Sequence, residues 1–166
     1  MLKWFEETRR PQGIVVSSRI RLARNLEGYV FSDKLSPDKK AVLLEALSEE
    51  LSELSFNSRD LEFMSEISRE ALHERRLINS SVVGKSGSMR LLSSADEAQS
   101  ILIGGDDHIR MQRMGQGPCL YKNWEIMNDL DDWINEKFQY AFHEKYGYLT
   151  AFPTNMGTGL RADVLL

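Results

Sequence analysis

Hydrophobic and polar positions alternate near the start of this chain. The run IVVSSRIRL at 14–22 begins with β-branched residues and continues with two arginines, Arg19 and Arg21. Ile20 and Leu22 alternate with these arginines. In a strand, successive side chains face opposite ways, so both guanidinium groups emerge on one face and the apolar pair on the other. The pattern predicts a strand with a small cationic face.

Two longer segments have the spacing of amphipathic helices. The first covers about 37–54, begins after the N-cap residue Ser36 with Pro37 at its first position, and repeats Leu44, Leu47, Leu51 and Leu54. The second covers 124–146, is followed by Gly147 as a terminating residue, and has an apolar stripe of Met127, Leu130, Ile134, Phe138, Ala141 and Phe142. Both apolar faces are expected to pack on a core rather than on a partner.

The segment between these helices predicts most of a sheet. A short strand is expected around 61–64 and a helix over about 65–76, followed by a polar, glycine-containing loop through Ser88 that we interpret as mobile. Residues 89–113 then contain three strand-like runs, MRLLS, QSILI and HIRMQRM. The expected fold class is α+β, with an antiparallel sheet flanked by helices.

The C-terminal part combines strands with a polar loop. YLTAF at 148–152 predicts a buried strand, and RADVLL at 161–166 begins another. The heptad PTNMGTG at 153–159 lies between them. Its glycines and Asn155 favour a tight turn, and its polar groups next to Arg161 are suited to an anion-binding loop. An ordinary polar hairpin connection is the alternative.

Composition limits the class of protein. With 166 residues and 42% hydrophobic content, the chain is long enough for one core. A net charge of -4 argues against a broad nucleic-acid surface, so a basic site has to be local. The single cysteine, Cys119, excludes an internal disulfide and a multi-thiolate zinc site, which fits a cytoplasmic protein. No segment approaches the ~20 apolar residues that span a bilayer.

A charged segment in the middle of the chain is a candidate site. Asp106 and Asp107 precede a stretch whose alternation places His108, Arg110 and Gln112 on one face. A carboxylate pair beside a cationic strand can hold magnesium, orient a cationic substrate or act as a base. The alternative is a charged turn followed by an exposed strand face.

Several arginines from distant parts of the chain are embedded in apolar, strand-like sequence: Arg19, Arg21, Arg24, Arg110 and Arg161. The planar guanidinium matches phosphate, and an unpaired buried charge is costly, so such arginines indicate an anionic ligand. Their number suggests a polyanion such as a nucleoside triphosphate. Because the sequence has no Walker-type loop, side chains rather than a backbone cradle would hold the phosphates.

Three blocks of the chain resemble the ATP:guanido phosphotransferases, or phosphagen kinases. They are SSRIRLARN at 17–25, DDHIRMQ at 106–112 and GYLTAFPTNMGTGLRADVLL at 147–166. The sequence LARN and the segment 131–150 are most similar to the bacterial protein-arginine kinase branch. The resemblance implies a short leader at 1–13, followed over 14–166 by the N-terminal portion of a catalytic-type domain that is incomplete at its C-terminus.

The resemblance also implies roles for individual residues. It implies binding of ATP with Mg²⁺ by Ser17, Ser18, Arg19, Ile20, Arg21, Arg76, Arg110, Arg161, Ala162 and Asp163. Asp106 and Asp107 would be the catalytic pair, and a substrate-side loop would contain Phe152, Pro153, Thr154 and Asn155. The γ-phosphoryl group of ATP would be transferred to a guanidinium nitrogen by positioning and charge neutralisation.

At three positions the chain departs from the family pattern. Asp106 stands where the family has a catalytic Glu, and its side chain is one methylene shorter. Phe152 replaces a reactive Cys, and Arg76 replaces a nucleotide-contacting His. Two hypotheses therefore remain: a protein-arginine kinase, or a non-catalytic relative that binds nucleotide or phosphoarginine as a regulatory module.

The resemblance further implies partners that the residues themselves do not indicate. These are arginine-containing protein substrates, a zinc-binding activator protein, a stress-response repressor and Clp-type protease components, in a role in protein quality control. The resemblance leaves open whether the chain forms a homodimer.

Overall fold

The computed structural model of the protein describes Trp4 and residues 13–166. Its main sheet has six antiparallel strands in the order β2-β3-β4-β5-β1-β8. The strands are β1 (Ser17–Arg24), β2 (Asn57–Asp60), β3 (Arg90–Ser93), β4 (Gln99–Ile103), β5 (Ile109–Gln116) and β8 (Leu160–Leu165). β6 (Phe142–His143) and β7 (Gly147–Tyr148) form a separate small hairpin. The leader predicted at 1–13 lies, apart from Trp4 and residue 13, outside the described residues.

Helices cover one face of the sheet. They are α1 (Pro37–Leu51), which continues into a 3-10 turn at Ser52–Leu54, and α4 (Leu120–Lys137). Leu47 of α1 and Met127 of α4 are fully buried against Ile101 and Met111 of the sheet. The helix predicted over 37–54 and the predicted antiparallel sheet are thus confirmed.

The opposite face of the sheet is covered over only part of its width. There α2 (Glu66–Glu74) and α3 (Ser80–Val83) pack with Leu91 of β3 and Leu102 of β4. The neighbouring strands β5, β1 and β8 form an open half of this face. The prediction of a polar loop through Ser88 missed α3, whose Val82 is completely buried.

Three predicted boundaries are wrong. The strand expected at 61–64 lies at Asn57–Asp60, because polar residues form this edge strand while Leu61 turns into the core. The second long helix begins at Leu120 and ends at Lys137 rather than Tyr146. Its predicted continuation is extended because Glu27 N–H donates to Gln139 O and Ala141 N–H donates to Asn25 O. Tertiary hydrogen bonds here override helical spacing.

The buried strand predicted at 148–152 is also wrong beyond Tyr148. Residues 149–152 have no strand pairing, and the Ala151 N–H donates to the carboxylate of Asp107 instead. The final predicted strand is confirmed as β8, which pairs with β1.

Candidate functional site

Register places four arginines on the open half-face of the sheet. Arg21 of β1 is paired with Arg161 of β8, and Ala23 is paired with Arg110 of β5. Paired residues in adjacent antiparallel strands share a face, as do residues two apart in one strand. Arg19 therefore joins the other three. The sequence predicted that Arg19 and Arg21 share a face, and the sheet order adds the two distant arginines.

A cavity of about 260 Å³ opens over this half-face. It is lined by arginines, two carboxylates and the C-terminal loop: Arg21, Leu22, Ala23, Asn79, Asp106, Asp107, Arg110, Phe152, Thr154, Asn155, Gly159 and Arg161. Eight of these residues were candidates from the sequence. Pro153, the remaining member of the predicted substrate-side loop, begins a 3-10 turn but does not line the cavity.

Arg110 is a cation without a partner in the described part of the chain. Within the described residues it makes neither a hydrogen bond nor an ion pair, although its side chain is partly buried. Burial, together with the charges of Arg21 and Arg19, lowers the pKa of Arg110 to about 10. A desolvated cation without a counterion is destabilising, so an anion in this cavity would compensate it.

Asp163 neutralises part of the arginine group. Its carboxylate accepts from Arg21 Nη2 at 3.0 Å and from Arg19 Nε at 3.2 Å. Arg161 Nε lies 3.6 Å from its other oxygen. Burial and the charge of Arg19 lower the pKa of Arg21 despite this carboxylate. Three of the four arginines thus share one acidic side chain, which leaves a net positive charge over the cavity.

A second cavity of about 250 Å³ lies beside the first. Its polar lining is Ser17, Arg19, Arg76 and Asp163, and its apolar lining is Val164 and Leu165. These four polar residues were all nucleotide-binding candidates. The two cavities are connected through the Arg19–Asp163–Arg21 ion pairs.

Three further nucleotide-binding candidates have side chains on the opposite face of the sheet. Ser18 is buried and donates its hydroxyl to Gly117 O at 2.6 Å. Ile20 belongs to the core, and Ala162 is its partner in β8. Their side chains therefore do not reach the cavities, and any contact with a ligand would involve backbone groups.

Asp106 is held at the cavity wall by three residues. Its Oδ2 accepts from Ser81 Oγ at 2.9 Å and from Asn79 Nδ2 at 3.1 Å, and its Oδ1 lies 3.4 Å from Lys85 Nζ. Burial raises the pKa of Asp106, but the hydroxyl and amide donors and the Lys85 charge outweigh it, so the net pKa is lowered. Asp106 is thus a fixed carboxylate that remains ionised at neutral pH.

Asp107 is buried and points to another part of the wall. Its Oδ1 accepts from the Ala151 N–H at 2.6 Å and from Asn25 Nδ2 at 2.7 Å. Burial raises the pKa of Asp107 in spite of these two donors. The contact with Ala151 fixes the backbone just before Phe152, whose half-exposed ring lines the cavity. Asp107 is therefore placed to hold this loop.

The expected common face of His108, Arg110 and Gln112 is correct only in part. His108 is buried before β5 begins; its Nδ1 accepts from Leu26 N–H and its Nε2 donates to Val30 O. Gln112 is also buried, and it donates to the Arg76 carbonyl. Arg110 alone of the three lines the first cavity.

Arg24 was expected to bind an anionic ligand, and its position contradicts this. It lies on the core face, where its Nη2 donates to Asp131 Oδ2 at 2.6 Å and its guanidinium stacks 3.8 Å from the Tyr148 ring centroid. An even-numbered position in β1 faces away from Arg19 and Arg21. Arg24 therefore joins β1 to α4.

Three residues of the site were missed in the sequence: Asn79, Ser81 and Lys85. Asn79 is the N-cap residue of α3, and the sequence Asn-Ser-Ser before two valines was a usable signal for a short helix. Lys85 is in the loop interpreted as mobile, yet it binds both Asp33 and Asp106. Its role depends on contacts between distant segments.

The described residues offer no protein-made metal site. No group of three or more His, Cys, Asp or Glu side chains among them is arranged to hold a metal ion. The two aspartates bind separate loops, as described above, rather than converging. In the same part of the chain, none of the helices has the length and apolar character needed to cross a membrane.

Comparison with known proteins identifies the family. Residues 39–166 match the sequence model of the ATP:guanido phosphotransferase C-terminal catalytic domain. The structure superimposes on the duplicated taurocyamine kinase from Schistosoma mansoni with bound transition-state-analog components, with a TM-score of 0.85 and 27% identity over 94% of this chain and 24% of that one. This chain belongs to the ATP:guanido phosphotransferase family.

Curated relatives include protein-arginine kinases. The one from Symbiobacterium thermophilum is 39% identical over 99% of this chain and 48% of its own length. The one from an Exiguobacterium species is 40% identical over 98% of this chain and 47% of its own length. The chain thus spans about half the length of the curated relatives it matches.

Proposed function

We propose that this chain acts in a protein-arginine kinase, which transfers the γ-phosphoryl group of ATP to arginine side chains of proteins. The observation that carries the proposal is that Arg110 and Asp106 line the same cavity. Arg110 lacks a counterion among the described residues, and Asp106 is ionised and close enough to influence the pKa of Arg110. Arg110 is suited to bind a phosphoryl oxygen, and Asp106 is suited to bind a guanidinium.

The transferred phosphoryl group would be bound by Arg21, Arg110 and Arg161. Phosphoryl transfer requires neutralisation of charge on the equatorial oxygens and in-line placement of the two reacting groups. Guanidinium groups that line a partly desolvated cavity would provide this neutralisation. The adjacent cavity, with Ser17, Arg19 and Arg76, would accommodate the rest of the nucleotide.

Asp106 would orient the substrate guanidinium and accept its proton. As a guanidinium nitrogen bonds to the γ-phosphorus and the bond to ADP breaks, an N–H proton must leave, and Asp106 is an ionised acceptor in the cavity. Its lowered pKa makes it a weak base. We therefore expect proton transfer to occur only as the new P–N bond forms.

Magnesium would enter with the nucleotide. Mg²⁺ retains several waters and is commonly held by substrate phosphates with few protein carboxylates. The separate contacts of Asp106 and Asp107 fit this mode better than a preformed protein site. The metal would add positive charge to that of the arginines around the phosphates.

The resemblance supports a proposal for the partners and setting of the reaction, and the relatives' name, protein-arginine kinase, supports the substrate class. We propose arginine-containing proteins as substrates and a cytoplasmic role in stress response and protein quality control. A zinc-binding activator protein, a stress-response repressor and Clp-type protease components are the partners to test. A homodimer is one of the assemblies to test.

The proposal can be tested with γ-labelled ATP, Mg²⁺ and an arginine-rich protein. The expected result is acid-labile label on the protein, because N-phosphates hydrolyse in acid, and loss of that label in Asp106→Asn. Label that survives acid would indicate an alcohol acceptor instead. ATP binding without any transfer would support the alternative of a regulatory nucleotide-binding module.

A further inference from the structure

Arg76 has an unusual backbone conformation for its residue type. It follows α2 with a φ of 61°, and within the described residues only Ser55 and Glu97 are other non-glycine residues of positive φ. Its N–H donates to His73 O at 2.8 Å, as in a helix-terminating turn. A left-handed conformation is unfavourable for a non-glycine residue, so neighbouring contacts must fix it.

One such contact comes from the strand that carries Arg110. Gln112 of β5 donates from its Nε2 to the Arg76 carbonyl at 2.6 Å. The Gln112 side chain is 4% exposed and is on the same sheet face as Arg21, its partner in β1. A buried amide donor satisfied by this one carbonyl would lose a hydrogen bond if the turn moved.

A second contact fixes the residue immediately before Arg76. Arg75 Nη2 donates to Glu97 Oε2, and Glu97 is 2% exposed and has a φ of 59°. Arg59 of β2 lies 3.4 Å from the other oxygen of the same carboxylate. Because a buried carboxylate requires compensation, the loop containing Glu97 and the turn at Arg75 are held together.

We propose that Gln112 and the Arg75–Glu97 ion pair are positioning residues that hold the Arg76 side chain in the nucleotide cavity. The proposal rests on the proposed function, which assigns this second cavity to the nucleotide. Arg76 lines it with Ser17 and Arg19. The turn is bound on one side through its carbonyl and on the other through its preceding residue. ATP affinity therefore depends on residues that do not contact ATP.

Glu97 forms ion pairs with two arginines, so replacing each arginine in turn gives a test variant and a matched control. Arg75→Gln removes the ion pair next to Arg76, and Arg59→Gln removes the other ion pair of the same carboxylate. We expect Arg75→Gln to weaken ATP binding about 10-fold, the loss expected for one charge-assisted hydrogen bond. Arg59→Gln is expected to leave ATP affinity within about 2-fold, even though both variants disturb Glu97. Equal affinities in Arg75→Gln, Arg59→Gln and the wild type would overturn the proposal.

A double variant separates positioning from general destabilisation. In an Arg76→Ala background, Arg75→Gln should cause no further loss of ATP affinity, because the positioned side chain is already absent. Gln112→Met, which retains the volume without the donor, should reproduce the roughly 10-fold loss in the wild-type background. Gln112→Met therefore tests the proposal if Arg75→Gln fails to fold. Additive losses in the double variant would contradict the proposal.

Calorimetric titration of these variants with ATP distinguishes this inference from the proposed function. If the folded wild type does not bind ATP, the nucleotide site itself is wrong. If the wild type binds ATP and loses affinity in Arg76→Ala, but not in Arg75→Gln or Gln112→Met, the site stands and the positioning role is wrong.

Discussion

Asp106 and Asp107 are consecutive in sequence but bind opposite parts of the cavity wall. Asp106 accepts from Ser81 Oγ at 2.9 Å, at the start of α3, and Asp107 accepts from the Ala151 N–H at 2.6 Å, just before Phe152. Both residues lie in the bent segment between β4 and β5, where the two side chains point to different neighbouring loops. One carboxylate is thus available to substrate, while its neighbour holds the substrate-side loop.

Asp106→Asn is expected to abolish transfer with little effect on nucleotide binding. The amide retains the volume of the carboxylate but cannot accept the guanidinium proton, so kcat should fall by about 10²- to 10⁴-fold. ATP affinity from calorimetry should change by less than about 2-fold. Asp33→Asn is the control, because Asp33 shares Lys85 with Asp106 but does not line the cavity. A comparable loss of kcat in the control would contradict this role for Asp106.

Asp107→Asn is expected to change the pH dependence of stability. Burial raises the pKa of Asp107 above its ordinary value of 3.8. Above pH 3.8 the folded state therefore retains a proton that the unfolded state has lost, and the contribution of Asp107 to the free energy of unfolding falls as pH rises through the raised pKa. Urea titrations from pH 4 upward should show the variant gaining stability relative to the wild type. A difference that does not vary with pH would refute the assignment.

Arg110→Met is expected to stabilise the fold and to abolish ligand binding. Removing a desolvated cation that has no partner among the described residues should increase the free energy of unfolding by about 1 kcal/mol. The same change should abolish measurable ATP binding. Arg113→Met on the same strand is the control, since Arg113 faces the other way and bonds to Gln99. If Arg110→Met destabilised the protein and retained ATP affinity, Arg110 would be a structural residue.

Arg24→Gln is expected to destabilise the fold without affecting the ligand site. The Arg24 and Asp131 side chains are 3% and 11% exposed, so the variant leaves a buried carboxylate unpaired. The expected loss is about 3 kcal/mol in the free energy of unfolding. Lys137→Gln breaks exposed ion pairs with Glu50 and Glu53 and should destabilise the fold far less, because solvent screens exposed charges. Similar losses in both variants would argue against the buried contact.

Local sequence patterns predicted the strands and the cationic face because both depend on a period of two. The same alternation places Arg24 on the apolar face, so its structural role was available from the sequence. Helical spacing failed after Lys137 because the chain there bonds to the backbone near Leu26. That competition arises between segments more than a hundred positions apart.

Predicting which residues come together in the candidate site required the family resemblance. Arginine chemistry indicated an anion, but no local pattern specifies that β5 and β8 both pair with β1. The contact of Lys85 with Asp106 likewise depends on the packing of α3 against the sheet. Periodicity alone therefore could not predict side-chain roles that depend on the order of the strands in the sheet.

The most direct test of the central claim is mass spectrometry at neutral pH for phosphoarginine. The wild type and Asp106→Asn would be incubated with ATP, Mg²⁺ and an arginine-rich protein, and the modified sites counted against a reaction without enzyme. The account predicts phosphoarginine with the wild type and background levels with the variant. Background levels with a wild type that binds ATP, or equal modification by both proteins, would contradict it.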